Sequence, residues 1–136
     1  MRDFPLTLNR FIIQSQASHP EATGAFSSLL TQIGLVGKLI AHDLRRAGLV
    51  NILGTTGETN VQGETVKKLD AIANDDFVKV FQSSGYVCAL ASEEMAKPIT
   101  IPGNWPNGEY MLLFDPLDGS SNTDNNMPLG AIFSVL

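Results

Sequence analysis

The chain divides into a helix-patterned first part and a strand-patterned second part, and this division limits its fold more than any other feature. Three short apolar runs stand in the second part: Tyr86 to Ala91 (YVCALA), Tyr110 to Phe114 (YMLLF) and Ala131 to Leu136 (AIFSVL). Runs this short, rich in β-branched and aromatic residues and bounded by turn signals, predict strands. The first part shows helical spacing instead. Thr7 caps a predicted helix over about 7–15, which Ser18-His19-Pro20-Glu21 breaks. Thr23 caps a longer one over about 24–47, in which Phe26, Leu29, Leu30, Ile33, Ile40, Leu44 and Ala47 keep the 3.6-residue period. Arg45 and Arg46 suit its last turn and Gly48 its C-cap. A third helix is predicted over about 65–83, with Val66, Leu69, Ala73, Phe77, Val80 and Phe81 on its buried face. Between the second and third helices, Gly54, Gly57 and Gly63 lie among polar residues and read as a mobile loop. Helices first and strands of one mixed sheet after them make an α+β or layered α/β fold. The last run, 131–136, meets the end of the sequence without a cap or polar tail. The expectation is that residues 1–136 are the N-terminal portion of one larger unit, truncated, with its C-terminal part missing.

Charge narrows the function classes. Nine Lys and Arg stand against 14 Asp and Glu, a net charge of −5. Such a chain is a poor non-specific partner for nucleic acid. No run approaches the roughly 20 apolar residues that span a bilayer. Arg2 beside Asp3, and the brevity of Phe11-Ile12-Ile13, argue against a signal peptide. One cysteine, Cys88, excludes an internal disulfide and reads as a buried small hydrophobe. These features predict a soluble, cytoplasmic protein. The charges are also unevenly placed. All 39 residues after Lys97 lack Lys and Arg, yet hold Glu109, Asp115, Asp118 and Asp124. A stretch of this kind repels anions or collects metal ions.

Two predicted strands end in acids, Glu93-Glu94 after the first and Asp115-Pro-Leu-Asp118-Gly-Ser-Ser after the second. Acids just beyond strand ends meet at one edge of a sheet. Pro116 restricts the backbone, so that Asp115 and Asp118 converge in a predicted tight turn, and the Leu117 carbonyl adds a neutral oxygen there. Gly119 allows close approach, and the amides of Ser120 and Ser121 can cradle a phosphate. A Glu-Glu pair alone is ordinary solvated surface, and Asp-Gly-Ser alone is an ordinary turn. Their joint occurrence at two strand ends is far more specific. Lys67 and Lys68 read as solvating a helix face, and His19 and His42 as surface or packing residues.

The segment from Phe114 to Asn122, FDPLDGSSN, resembles the signature of class I fructose-1,6-bisphosphatases, within the Mg²⁺-dependent, lithium-sensitive phosphatases that include inositol monophosphatases. Asn60 to Asp70 (NVQGETVKKLD) resembles that family's mobile loop and following helix, Ser92-Glu93-Glu94 its glutamate pair, and Thr7 to Phe11 and Ala22 to Gly24 its N-terminal helices. The resemblance runs over nearly the whole chain, although the family's polypeptide is much longer.

It implies a sugar-phosphatase fold and Mg²⁺-dependent hydrolysis of the 1-phosphate of fructose 1,6-bisphosphate to fructose 6-phosphate, in gluconeogenesis or Calvin-type metabolism. Glu93, Glu94, Asp115, the Leu117 carbonyl and Asp118 would hold two or more Mg²⁺, with Mn²⁺ a substitute. Asp118, Gly119, Ser120 and Ser121 would bind the phosphate. Asp70, with Glu94, would orient or deprotonate the attacking water, and Glu64 stands at a catalytic position where many members carry Asp. The isolated 136-residue stretch would be inactive, since other ligands and sugar-binding groups lie beyond it, and the whole protein would be a homotetramer. Thr23, Gly24 and Tyr110 match the family's AMP site. Ala25 replaces a typical Glu, and Glu109 replaces a phosphate-binding Lys, so inhibition by AMP is expected to be weak. The alternatives are a sedoheptulose-1,7-bisphosphatase or dual-specificity enzyme, an inositol-phosphate phosphatase, or, in another class, a truncated non-catalytic assembly fragment.

Overall fold

The computed structural model describes residues 5–46, 54–59, 65–121 and 128–136. Helix α1 (Leu8–Gln16) opens with the Thr7 hydroxyl accepting the Arg10 N–H at 3.2 Å. This satisfies one of the helix's unpaired donors. Helix α2 (Ala25–Arg46) follows Gly24, whose φ of 84° suits glycine, and the Thr23 hydroxyl accepts the Ala25 N–H at 3.4 Å. Strands β1 (Thr55–Thr59) and β2 (Thr65–Lys67) pair antiparallel. Helix α3 (Lys68–Gln82) leads to β3 (Val87–Ser92), β4 (Ile99–Thr100), β5 (Tyr110–Asp118) and β6 (Gly130–Val135). These last four form a sheet in the order β4-β3-β5-β6, with β3 parallel to β5 and the other pairs antiparallel. It is the mixed sheet that an α+β reading requires.

The core lies between the sheet and α3, and continues from α3 to α2. Leu29, Val36, Phe77, Phe81, Val87, Leu90 and Leu112 are wholly buried. Each such side chain contributes roughly 1.5–3 kcal/mol relative to exposure. Phe77 of α3 stacks on Phe114 of β5 with ring centroids 4.5 Å apart, which fixes the helix against the strand. Along β5 the buried residues Leu112 and Phe114 alternate with half-buried or exposed ones, so that one face meets α3. At the entry to β5, a Cβ on Gly108 would fall on the Tyr86 backbone, so only glycine fits there.

Several sequence expectations need correction. The third helix begins at Lys68, not near 65, because Thr65–Lys67 is strand. Lys67 is extended (φ −87°, ψ 154°), and its N–H is taken up by the Asp70 carboxylate at 3.0 Å. A strand at β-branched Thr65 and Val66, followed by an Asp in the first helical turn, explains the later start. Part of the expected loop, Thr55–Thr59, is strand; residues 60–64 lie outside the described residues, as do Ala47 and Gly48. The tight turn expected at Asp115–Asp118 is the end of β5. Its pairing with β6 shifts register between Asp115 and Asp118, and such a bulge accommodates Pro116, which has no N–H to donate. Phe26, expected in the core, is 46% exposed and meets Tyr110 at a tilt of 54° with ring centroids 5.8 Å apart, while Val36, absent from the expected face, is wholly buried.

Candidate active site

Parallel pairing of β3 with β5 brings the ends of both strands to the same edge of the sheet. The Glu93 N–H donates to the Phe114 carbonyl at 3.1 Å, which ties the glutamate turn to β5. The Ser92 hydroxyl accepts the Glu94 N–H at 3.2 Å and orders the next residue. The Asp115 carboxylate accepts the Leu117 N–H at 3.0 Å across Pro116, a local bond that holds the bulge. Gly119 then takes φ 84°, open to glycine without strain, and Ser120-Ser121 forms a short turn beyond it. The first turn of α3 completes the edge with Asp70, the one buried charged residue among those described.

These segments enclose a cavity of about 480 Å³ lined by Lys67, Asp70, Glu93, Glu94, Asp115, Leu117, Asp118, Gly119, Ser120 and Ser121. Of the residues singled out from the sequence for chemistry, Glu64 alone lies outside the described residues, and the other nine share this one cavity. Glu93, Glu94 and Asp115 are half-buried, and Asp118 is exposed. Lys67 was not foreseen. Its Nζ donates to the Ser121 carbonyl at 3.4 Å, from the far side of the cavity. The available signal was its spacing: a lysine three residues before an Asp that caps a helix must share that helix's N-terminal edge.

Among the described residues the lining is a set of hard oxygen donors with no His or Cys, and carboxylates exceed cations five to one. That chemistry fits a divalent cation such as Mg²⁺, which prefers carboxylate, carbonyl and phosphate oxygens. Among the described residues, no three His, Cys, Asp or Glu side chains close around one point as a finished metal cage.

A second cavity, of about 400 Å³, lies between α1, α2 and the start of β5. Phe11, Ile12, Phe26, Leu30 and Tyr110 make it largely apolar, and Thr23, Gly24, His19 and Glu21 also line it. Thr23, Gly24 and Tyr110 thus share one wall system, whereas Ala25 and Glu109 do not line it, and among the described residues neither does any Lys or Arg. Among the described residues no helix is long and apolar enough to cross a membrane.

The sequence profile described as fructose-1-6-bisphosphatase, N-terminal domain, matches residues 6–136. The chain is 55% identical over 130 residues to a class 1 fructose-1,6-bisphosphatase of Nostoc punctiforme, covering 95% of this chain and 37% of that protein. It is 58% identical over 130 residues to the class 1 enzyme of Trichodesmium erythraeum, covering 95% and 36%. It therefore spans little more than a third of the length of these curated relatives. Among solved structures, Leishmania major fructose-1,6-bisphosphatase in holo form superposes with a TM-score of 0.86 at 38% identity, covering 98% of this chain and 39% of that one. The T-state of the same protein gives a TM-score of 0.75, also at 38% identity, covering 98% and 37%. With a profile match over nearly its whole length, the chain belongs to the fructose-1,6-bisphosphatase family and corresponds to its N-terminal domain.

Proposed function

We propose that the protein carrying this chain hydrolyses the 1-phosphate of fructose 1,6-bisphosphate, giving fructose 6-phosphate and inorganic phosphate. The observation that carries this reading is the meeting of Asp70, Glu93-Glu94 and Asp115–Ser121, from three separate stretches of sequence, around one cavity. The names and identities of the curated relatives support the same choice of substrate.

In this reading Glu93, Glu94, Asp115, the Leu117 carbonyl and Asp118 hold Mg²⁺, for which Mn²⁺ can substitute. When bound, the metal supplies neutralisation of phosphate charge and a more acidic water. The chain's own residues do the rest. The Gly119–Ser121 amides and the Asp118 turn orient the transferred phosphate. Asp70, with Glu94 and Glu64, takes the proton of the attacking water as its oxygen bonds to phosphorus. The phosphorus–oxygen bond to the sugar breaks, and the sugar oxygen leaves with a proton. Half-burial of Glu93, Glu94 and Asp115 limits solvent around these charges and strengthens their interactions.

Assembly as a homotetramer belongs to the same proposal. Leu8, Phe11 and Ile13 on α1 and Leu35 and Leu39 on α2 expose apolar surface that fits helix-mediated self-association. The test is phosphate release by the full-length protein, with Mg²⁺, from fructose 1,6-bisphosphate, sedoheptulose 1,7-bisphosphate and inositol 1-phosphate. A preference of about tenfold or more in kcat/KM for a sugar bisphosphate over the inositol phosphate is expected. Release from neither sugar bisphosphate would overturn the assignment and leave the non-catalytic alternative standing.

A further inference from the structure

Five carboxylates line the acidic cavity, and Lys67 is the single basic residue that lines it among those described. Lys67 joins three parts of the fold. It ends β2, its N–H donates to the Asp70 carboxylate at 3.0 Å, and its Nζ reaches the Ser121 carbonyl, 54 residues along the chain. Ser121 belongs to the turn that would bind the phosphate in the proposed reading, so the ammonium stands beside the place where a phosphate would sit.

We propose that Lys67 is a phosphate ligand of this cavity, its ammonium turning onto the phosphate when one binds. The inference rests on the reading of the cavity as a phosphate site. It adds one positive side chain to a lining that otherwise repels an anion. It also couples the position of β2, and through it β1, to occupancy of the site, because the residue that would hold the phosphate is the last residue of that strand.

A purely structural role would look different. A lysine that only offsets neighbouring acids would change stability on removal and leave phosphate affinity alone. The experiment therefore measures binding of inorganic phosphate at saturating Mg²⁺, by calorimetry at two salt concentrations, beside kcat/KM and Tm. The full-length wild type is compared with Lys67→Gln, Lys67→Arg and, as control, Lys68→Gln on the adjoining residue. The expected result is phosphate binding weakened roughly ten- to a hundredfold in Lys67→Gln, as for loss of a charged hydrogen bond, with a flatter salt dependence. Lys67→Arg should keep binding within a few-fold, and Lys68→Gln should match wild type. Phosphate affinity in Lys67→Gln within about twofold of wild type, at an unchanged Tm, would overturn the inference even if the sugar bisphosphate is turned over normally. No phosphate binding by the wild type would overturn it as well. Lysine-dependent phosphate binding in a protein that hydrolyses no sugar bisphosphate would instead uphold Lys67 and sink the proposed reaction, so the two failures are distinguishable.

Discussion

Asp70, Asp115 and Asp118 line a cavity with Ser120, Ser121 and Lys67, whereas Asp43, Asp75 and Asp76 crowd together where α2 packs on α3. The two groups are alike in residue type and differ in surroundings. In the cavity, backbone N–H groups are committed to the acids: Lys67 N–H to Asp70 and Leu117 N–H to Asp115. At the helix pair the groups are side chains alone. Lys79 pairs with Asp75, one turn away on α3, and His42 pairs with its neighbour Asp43 at 3.1 Å. Asp76 bears the consequence. Burial first, then Asp43 and Asp75, raise its carboxyl above the ordinary 3.8, and Lys79 opposes them. The difference teaches that acid density does not make a site. Convergent backbone geometry and an enclosed volume do.

The largest expected effect separates the two groups most sharply. In the full-length protein, Asp118→Asn should lower kcat by about a thousandfold or more, because in the proposed reading the group that meets both cation and phosphate loses its charge. Its Tm should stay near that of wild type, since Asp118 is exposed. Steady-state kinetics with saturating Mg²⁺ and a melting curve check both halves. Activity close to wild type would erase the distinction between this acid and those on the helices.

A smaller effect tests charge that stands outside a cavity. Glu109 is exposed and does not line the α1–α2 cavity, which holds no Lys or Arg among the described residues. AMP should therefore inhibit the full-length protein weakly or not at all. Glu109→Lys should tighten inhibition by only a few-fold, and more at low salt, because an exposed charge acts through screened water. Tight inhibition of the wild type, unaltered by the substitution, would show that the nucleotide binds by other means.

The smallest effect lies at the helix pair. Asp76 holds its proton more tightly folded than unfolded, so between the two values the folded state carries more protons, and stability falls as pH rises. Ionised Asp76 is thus a liability at neutral pH. Asp76→Asn should raise Tm slightly at pH 7, and the gain should fade as the pH drops toward 3.8, with kcat unchanged. Thermal melts across that range decide the matter; a lower Tm at neutral pH would show that Asp76 has a favourable partner.

How much of this was legible depended on whether the information was local. The periods of Leu29, Ile33 and Ile40 and of Leu69, Ala73, Phe77 and Phe81 marked two helices, and all seven residues are buried. FDPLDGSS marked a candidate site because a proline, a glycine and two acids at fixed spacing restrict one short backbone, and its residues Asp115 and Leu117 to Ser121 line the cavity. Lys67 and Pro116 are misread from the sequence for a common reason. The spacing of Lys67 to Asp70 puts it at the N-terminal edge of α3 but does not say what it meets there, since the carbonyl it reaches is 54 residues distant. Pro116 reads as a turn former, and only its pairing partner β6 makes it a bulge in a strand.

The sequence by itself determined the order of helices and strands, the acidic and cation-free character of the second part, and the residue types able to bind a hard cation and a phosphate. Those properties reside in composition, period and short spacing, which act over a few residues. Tertiary structure alone decided that β3 and β5 run parallel side by side, so that Glu93-Glu94 and Asp118–Ser121 share an edge, and that Lys67 closes the same cavity from β2. Strand partners and cavity walls are set by packing α3 onto the sheet through Phe77 and Phe114, a contact between residues far apart in the chain. No local pattern encodes such a choice, because its free energy comes from surfaces that exist only after the elements have met.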